Sequence, residues 1–113
     1  MVEIAYSPDR GDIVWISLDP TLGRELQKRR PALILTPKAY NLKTSLALIV
    51  PITSKVKGYS FEVTLPIDLS IQGVILSDQI RSIDWRSRDA QFIITAPIAL
   101  LNIVRAKQKA LLP

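Results

Sequence analysis

The chain has 113 residues, of which 48% are hydrophobic and 22% are charged, a balance typical of a folded domain rather than a disordered segment. It contains no cysteine and no histidine, which excludes disulfides, thiol chemistry, histidine-dependent nucleophiles and nearly every zinc site. The net charge of +5 favours an anionic partner such as nucleic acid, an anionic membrane or an acidic protein, although an ordinary basic surface would give the same value. We expect one domain over residues 1–113.

Neither the N-terminus nor any later segment suits a membrane. Residues 1–10 lack the apolar core of a signal peptide. The longest apolar run, Leu46–Ile52, is far too short to span a bilayer. We therefore expect a cytoplasmic protein with no membrane partner.

The first half of the chain predicts three short strands separated by polar loops. β-Branched and aromatic residues favour strands at Ile13–Leu18, Ala32–Leu35 and Leu46–Ile52. The loop before the second strand is cationic, and Lys38–Thr44 is interpreted as a loop or a single helical turn. Pro51 cannot donate to a sheet ladder, so we expect a bulge or a sheet edge there.

The second half predicts further strands and then one helix. The strands are expected at Ser60–Leu65, Gly73–Leu76, Gln79–Asp84 and, less regularly, Gln91–Ile94. Thr95 is expected to cap a helix that has a proline in its first turn. Leu100, Val104 and Leu111 share one helix face, but Lys107 interrupts this stripe, which predicts a helix over a sheet edge. The pattern indicates a mainly β fold, a small closed or half-closed barrel with a C-terminal helix packed on it.

Two polar residues stand at the ends of apolar strands and could meet at one phosphate. Pro31 fixes its own φ and pushes Arg30 toward an extended conformation, so the guanidinium is held at the start of a strand. Thr53 follows the apolar run that ends at Ile52. Judged in isolation, simpler interpretations are a strand-edge Arg30 paired with Glu25, and an ordinary strand residue at Thr53.

Seven short motifs occur in the order and spacing of a known family. They are Gly11–Trp15, Asp19–Glu25, Arg30–Leu35, Tyr40–Asn41, Val50–Ser54, Lys57–Glu62 and Gly73–Trp85. Each motif alone is weakly specific, but together they run to about Arg88, and on them the chain resembles the MazF/PemK toxin ribonucleases. One loop departs from the family pattern: Gly23–Leu26 reads Gly-Arg-Glu-Leu in place of Gly-Ser-Glu-Gln, and Lys28 stands where the family has glycine.

The resemblance implies an SH3-like barrel, a homodimer, and cleavage of single-stranded RNA without a metal or other cofactor. It also implies an acidic, MazE-like antitoxin that inhibits the toxin, and DNA binding by the complex of the two. The catalytic arginine and threonine of the family fall on Arg30 and Thr53. Its loop acid falls on Glu25, and an Asp-Gln pair falls on Asp78 and Gln79.

These residues suit cleavage of RNA by its own 2′-hydroxyl. Arg30 could donate to two phosphoryl oxygens as charge accumulates on them, and Thr53 could donate one further hydrogen bond. The general base is left open between Glu25 and Arg30 itself. The other residues predicted to contact RNA are Arg24, Lys28, Arg29, Ser54, Lys55, Lys57, Gln79 and Arg81.

Two other functions fit the same barrel. Related toxins of this fold poison DNA gyrase by protein contact alone, and a decayed relative would keep the fold without the activity. A gyrase binder would not need both Arg30 and Thr53, so the pair favours an endoribonuclease. Trp15 and Trp85 are interpreted as aromatics of the core or of a dimer interface rather than as surfaces on which bases stack.

Overall fold

The computed structural model describes residues 5–18 and 29–113, which form an antiparallel sheet and two helices. In chain order the elements are β1 (Asp12–Ser17), β2 (Arg29–Ile34), α1 (Lys38–Thr44), β3 (Leu46–Thr53), β4 (Glu62–Thr64), β5 (Val74–Leu76), β6 (Arg81–Asp84), β7 (Gln91–Thr95) and α2 (Ile98–Leu111). The prediction of a mainly β chain with a C-terminal helix is confirmed. In the part of the chain that is described, neither helix is long and apolar enough to cross a membrane.

The sheet is organised around β3, which has different partners along its length. Neighbouring strands follow the order β4-β5-β3-β2-β1-β7, and β6 pairs with β3 beside this path. The first part of β3, Leu46–Ile49, pairs with β6, whereas Ile52 and Thr53 pair with β5. The sheet is barrel-like but not closed, because β4 and β7, the two strands at the ends of this order, do not pair with each other within the described residues. This agrees with the half-closed form of the expected barrel.

Pro51 lies inside β3 at the point where the strand exchanges one partner for another. It stands opposite Ala32 of β2, three residues beyond Leu48, whose carbonyl accepts a hydrogen bond of 2.8 Å from the N–H of Leu35. Antiparallel pairs alternate between bonded and non-bonded, so Pro51 occupies a non-bonded pair and its nitrogen faces away from β2. On that other side, pairing with β6 has ended and pairing with β5 has not begun. The expected edge is therefore a local one inside a central strand.

Both faces of the sheet are covered, which explains why the strands are nearly continuous apolar runs. Successive side chains of a strand point to opposite faces. Ile13 and Val14 of β1 are both fully buried, and they belong to two separate hydrophobic clusters. The cluster around Val14 also holds Trp85, and the cluster around Ile13 is the one that α2 covers.

The position of α2 corrects the prediction made from Lys107. Three residues of α2 are buried in one cluster with side chains of β1, β2 and β3, namely Leu100, Leu101 and Val104. The helix therefore lies on the face of the sheet and not over its edge. Lys107 does not interrupt this packing, because its Nζ donates a hydrogen bond of 2.6 Å to the carbonyl of Ser60. Leu111, expected on the buried stripe, is 42% exposed.

Both helices begin directly after a proline, and the sequence predicted this only in part. α2 begins at Ile98 with Pro97 as its N-cap, whereas Thr95, the expected cap, is the last residue of β7. α1, interpreted as a loop or a single turn, is a helix of seven residues that follows Pro37. The first N–H groups of a helix have no acceptor within it, so a proline at this point costs little.

Candidate active site

A cavity of about 430 Å³ opens beside the ends of β2, β3 and β6. Five residues predicted from the sequence to cleave or bind RNA line it: Arg30, Thr53, Lys55, Gln79 and Arg81. The rest of the wall is apolar and consists of Leu18, Pro51, Ile52 and Leu76. The fold thus brings residues from both halves of the chain to one cleft.

The register between β2 and β3 explains why Arg30 and Thr53 face the same cavity. These strands are antiparallel with Ala32 opposite Pro51, so two further residues along each strand bring Arg30 level with Thr53. Residues level with each other on neighbouring antiparallel strands project to the same face. On its other side β2 is held by β1, where Ile16 stands opposite Arg30. Both residues are therefore placed by the rigid centre of the sheet.

The Thr53 hydroxyl accepts a hydrogen bond inside the protein and is still able to donate one. Its Oγ1 accepts a bond of 3.1 Å from the N–H of Lys55, which closes a tight turn just after β3. A hydroxyl carries a single proton besides its lone pairs. No acceptor among the described residues takes that proton, so it is available to a ligand in the cavity.

Arg29 and Arg30 are neighbours in the sequence, but their guanidinium groups have different surroundings. Arg29 donates to the main-chain oxygens of Trp15, at 3.1 Å, and of Asp89, and it forms an ion pair of 3.5 Å with the Asp89 carboxylate. Arg30 is exposed, and its guanidinium makes no hydrogen bond or ion pair within residues 5–18 and 29–113. Arg30 is therefore open to an anion, and the RNA contact of Arg29 stays a prediction.

A second guanidinium is fixed at the wall of the same cavity. Arg81 stands opposite Ile49 in the pairing of β3 with β6, and it donates a hydrogen bond of 3.2 Å to the main-chain oxygen of Leu18. A guanidinium has several further N–H groups. The cleft thus combines two guanidinium groups and the ammonium of Lys55 with a hydroxyl proton that no described residue accepts, a lining that suits a phosphate.

A second cavity, of about 260 Å³, adjoins the first and shares Thr53, Lys55, Leu76 and Gln79 with it. Its other lining residues are Lys57, Tyr59, Phe61, Glu62 and Asp78. The Glu62 carboxylate shapes this wall by accepting from the N–H groups of Lys57, at 3.1 Å, and of Gly58, at 2.9 Å. The sequence predicted Lys57 but missed Tyr59, Phe61 and Glu62, although the Lys57–Glu62 motif contains all three.

A third cavity, of about 500 Å³, shares Arg30, Ile52 and Thr53 with the first. It includes the predicted residues Arg29 and Ser54, and also Trp15, Ser70 and Gln72. Thr53 is thus common to all three cavities. Trp85 lines none of these three cavities. It is 5% exposed and its Nε1 donates a 2.9 Å bond to the carbonyl of Asn41, so its interpretation as a core aromatic is confirmed.

Three predicted site residues fall outside the residues that the structure describes, namely Arg24, Glu25 and Lys28. In the described part of the chain, no group of three or more carboxylate side chains could hold a metal ion.

Residues 9–112 match the family described as PemK-like, MazF-like toxin of type II toxin-antitoxin system. The chain belongs to this family. The endoribonuclease toxin MazF of Escherichia coli (strain K12) is 44% identical over 107 residues, which cover 95% of this chain and 96% of that relative. The endoribonuclease PemK of Escherichia coli is 37% identical over 108 residues, which cover 92% and 81%.

Solved MazF structures share the fold. MazF from Deinococcus radiodurans matches with a TM-score of 0.87 and 50% identity, covering 96% of this chain and 98% of that chain. A chain from a MazE-MazF crystal structure of the same organism matches with a TM-score of 0.86 and 47% identity, covering 96% and 97%. The resemblance stated from the sequence motifs is therefore confirmed.

The C-terminal helix of this MazF/PemK-type chain also contacts the turns beside the cleft. Lys107 donates to the carbonyl of Ser60, which lies in the turn before β4. The next residue, Gln108, donates a bond of 3.0 Å from its Nε2 to the carbonyl of Ser77, directly before Asp78 and Gln79. Two consecutive residues of α2 therefore tie down two walls of the second cavity.

Proposed function

We propose that this chain is a toxin endoribonuclease that cleaves single-stranded RNA in the cleft between Arg30 and Thr53. The observation that carries the proposal is the placement of a guanidinium and a free hydroxyl proton on facing strand ends, lining the same cavities. Support also comes from the similar proteins, because the MazF and PemK relatives are named endoribonucleases.

In the proposed reaction the 2′-oxygen of the substrate attacks the adjacent phosphorus. A bond forms between them, the bond from phosphorus to the 5′-oxygen breaks, and the products carry a 2′,3′-cyclic phosphate and a 5′-hydroxyl. Negative charge grows on the non-bridging oxygens during the attack. Arg30 donates two parallel N–H bonds to these oxygens and Thr53 donates one O–H, and such bonds strengthen as the charge grows.

The reaction also needs a base for the 2′-hydroxyl and an acid for the leaving 5′-oxygen. Glu25 and Arg30 are the two candidates for the base, and a guanidinium hardly loses a proton. We therefore assign Arg30 to charge stabilisation by hydrogen bonds and Glu25 to the base, and a water molecule gives the 5′-oxygen its proton as it leaves. No metal ion is needed in this scheme, because every charge is handled by side chains.

The remaining predicted residues bind the strand on either side of the scissile phosphate. Lys55, Gln79 and Arg81 line the first cavity, Lys57 lines the second and Ser54 the third. Cations along a groove attract the phosphates of a single strand in a salt-dependent way. Arg24 and Lys28 would extend this basic surface, whereas Arg29, whose guanidinium is bound by Trp15 and Asp89, would fix the start of β2 from which Arg30 projects.

The basic surface proposed to bind RNA would also suit an acidic antitoxin. A MazE-MazF complex is known from Deinococcus radiodurans, and the match to that MazF chain is close. We propose that this chain acts as a homodimer in the cytoplasm and is neutralised by a MazE-like antitoxin. An acidic, disordered antitoxin segment would compete with RNA, since both are flexible anions that need a basic groove.

Digestion of RNA oligonucleotides in excess EDTA tests the proposal. We expect cleavage without added metal, products with a cyclic phosphate end, and no cleavage when the 2′-hydroxyl at the cut site is replaced by 2′-O-methyl. Cleavage of the methylated strand, or strict dependence on Mg²⁺, would overturn the mechanism. Intact RNA together with tight binding to DNA gyrase would favour the alternative of a non-catalytic toxin of the same fold.

A further inference from the structure

The main chain of Gly73 lies unusually close to the peptide group of Thr53. Gly73 has φ +126°, a conformation that residues with a side chain rarely adopt. A Cβ built on Gly73 would lie 2.3 Å from the carbonyl oxygen of Thr53 and 3.0 Å from its carbonyl carbon. Both are backbone atoms, so no flexible side chain could move aside. Only glycine allows this approach.

Gly73 is also held from its other side. Its carbonyl accepts a hydrogen bond of 2.9 Å from the N–H of Leu65, and the next residue, Val74, pairs with Thr53 in the sheet. The same Val74 stands opposite Thr64 of β4. Since β4 and β5 hold Gly73 in place, added bulk there would displace the Thr53 peptide as well as Gly73.

We propose that Gly73 is a positioning residue, which sets the main chain of Thr53 and through it the direction of the Thr53 hydroxyl. This inference rests on the proposed catalytic role of Thr53. The hydroxyl is oriented by the turn in which its Oγ1 accepts from the N–H of Lys55. The Cα of Ser54, inside that turn, would lie 3.3 Å from the added Cβ, so the turn would move together with Thr53.

The size of the effect follows from the distances. Ordinary contacts of a Cβ begin at 3.4 Å, so a methyl group at Gly73 requires a displacement of about 1 Å. A misplacement of that size at a reacting centre can cost about a hundredfold in rate. We expect Gly73→Ala to lower kcat by about this factor and to change KM less, because Arg30 of β2 and Arg81 of β6, two of the cations proposed to bind the strand, are not part of the turn that moves.

Gly11 is the matched control. It also has a positive φ, +93°, but a Cβ there would meet only the Cδ2 of Leu101, at an ordinary 3.8 Å. Gly11 stands just before β1, at the opposite end of that strand from the residues that face Arg30. Gly11→Ala therefore introduces backbone strain without pushing on Thr53. It should lose stability and keep its kcat.

The experiment measures kcat and KM of both alanine variants with a fluorogenic RNA. It is completed by a cycle in which Gly73→Ala is combined with Thr53→Ala. If Gly73 acts through Thr53, the loss in kcat from Gly73→Ala should nearly vanish once the hydroxyl is absent. Multiplicative losses in the double variant, or a full kcat for Gly73→Ala, would overturn the inference.

A second readout does not depend on activity. Amide resonances of Ser54 and Lys55 should shift in Gly73→Ala and stay unchanged in Gly11→Ala. If the unchanged protein does not cleave RNA but these resonances shift, the proposed function fails while the contact itself is supported. If Gly73→Ala does not fold even in sucrose, which favours the folded state, Gly73 is a residue of the fold and the positioning role is refuted.

Discussion

Asn41 lies in α1, just before β3, and Thr53 is the last residue of β3, but the hydrogen bonding of the two side chains is opposite in kind. Asn41 is fully buried: its Nδ2 donates to the carbonyls of Pro8 and Thr36, each at 2.9 Å, and its Oδ1 accepts from the Thr36 hydroxyl at 2.7 Å. Its own carbonyl accepts from the indole of Trp85. Thr53, in contrast, keeps a proton for which the described residues offer no acceptor.

The comparison separates polar residues that serve the fold from those that serve a ligand. A buried polar group is stabilising only when its hydrogen bonds are completed inside the protein, as at Asn41. A polar group left incomplete at a cavity wall can be completed by a substrate, as we propose for Thr53. Arg29 and Arg30 repeat the contrast within two adjacent residues, since Arg29 is bound to Trp15 and Asp89 whereas the Arg30 guanidinium has no partner among the described residues.

The largest effect is expected in the cleft. Arg30→Ala and Thr53→Ala should each lower kcat by roughly a hundred- to a thousandfold, about 3–4 kcal/mol in activation free energy, since each removes a donor to the transition state. Stability should change by only about 0.5 kcal/mol, because neither truncation opens a cavity in the core. Single-turnover cleavage and urea unfolding measure the two quantities.

Arg30→Lys provides the control for the geometry of the guanidinium. An ammonium keeps the charge but cannot donate two parallel bonds to a phosphate, so recovery of the rate should be poor. A near-normal rate for Arg30→Lys would contradict the role of the planar fork. If Thr53→Ala unfolds the protein, Thr53 serves the fold, as Asn41 does, rather than a ligand.

Asn41→Ala should produce the reverse pattern. It leaves the carbonyls of Pro8 and Thr36 and the Thr36 hydroxyl without their buried partner, at a cost of about 2–4 kcal/mol in the free energy of unfolding. Activity per folded molecule should stay unchanged, because no cavity of the site is lined by Asn41. If Asn41→Ala loses kcat without losing stability, the distinction between Asn41 and Thr53 is wrong.

Arg29→Ala tests the contrast between the two arginines. We expect a loss of about 1–2 kcal/mol in stability, since hydrogen bonds from a charged group to Trp15 and Asp89 disappear at a half-buried site. The kcat should stay near that of the unchanged protein, in contrast to Arg30→Ala. A fall in RNA affinity whose salt dependence is also reduced would instead place Arg29 in the binding surface.

The strands of the centre could be predicted from the sequence because their signal is local. β1 and β3 are buried on both faces, so their apolar runs leave little choice of structure. β4 is shorter than the sequence predicts, since the alternating pattern covers Ser60–Leu65 and the strand covers Glu62–Thr64. The cap at Thr95 and the edge position of α2 were wrong, because β7 extends through Thr95 and Lys107 finds an acceptor at Ser60.

The features of the site also differ in whether they leave a local signal in the sequence. Arg30 and Thr53 could be predicted because each stands at the end of an apolar strand and within a family motif. The Arg29 guanidinium is bound by Asp89, which is sixty residues away in the sequence. The close approach of Gly73 involves Thr53, which belongs to another strand. Contacts between distant segments leave no local pattern, so no inspection of the loop or of the glycine alone would find them.

The smallest expected effect is a change in how the free energy of unfolding depends on pH, and it concerns the hydroxyl of Tyr6. Its hydroxyl donates a hydrogen bond of 2.5 Å to the carboxylate of Asp12, which is 8% exposed. Burial, followed by this hydrogen bond and the negative charge of Asp12, raises the pKa of Tyr6 far above its usual value. The folded protein therefore keeps this proton in alkaline solution, whereas the unfolded chain releases it near pH 10.

Above about pH 10 the unfolded state consequently binds fewer protons than the folded state, and stability must fall as the pH rises. The fall from Tyr6 is at most about 1.4 kcal/mol per pH unit, so about 1 kcal/mol is expected between pH 10 and pH 11. Urea unfolding of Tyr6→Phe should show a shallower decline over this interval. Tyr59→Phe, which alters a tyrosine that is 65% exposed, is the control and should decline like the unchanged protein. If the free energy of unfolding falls equally steeply with pH in Tyr6→Phe and in the unchanged protein, the contact with Asp12 does not retain the proton of Tyr6 in the folded state.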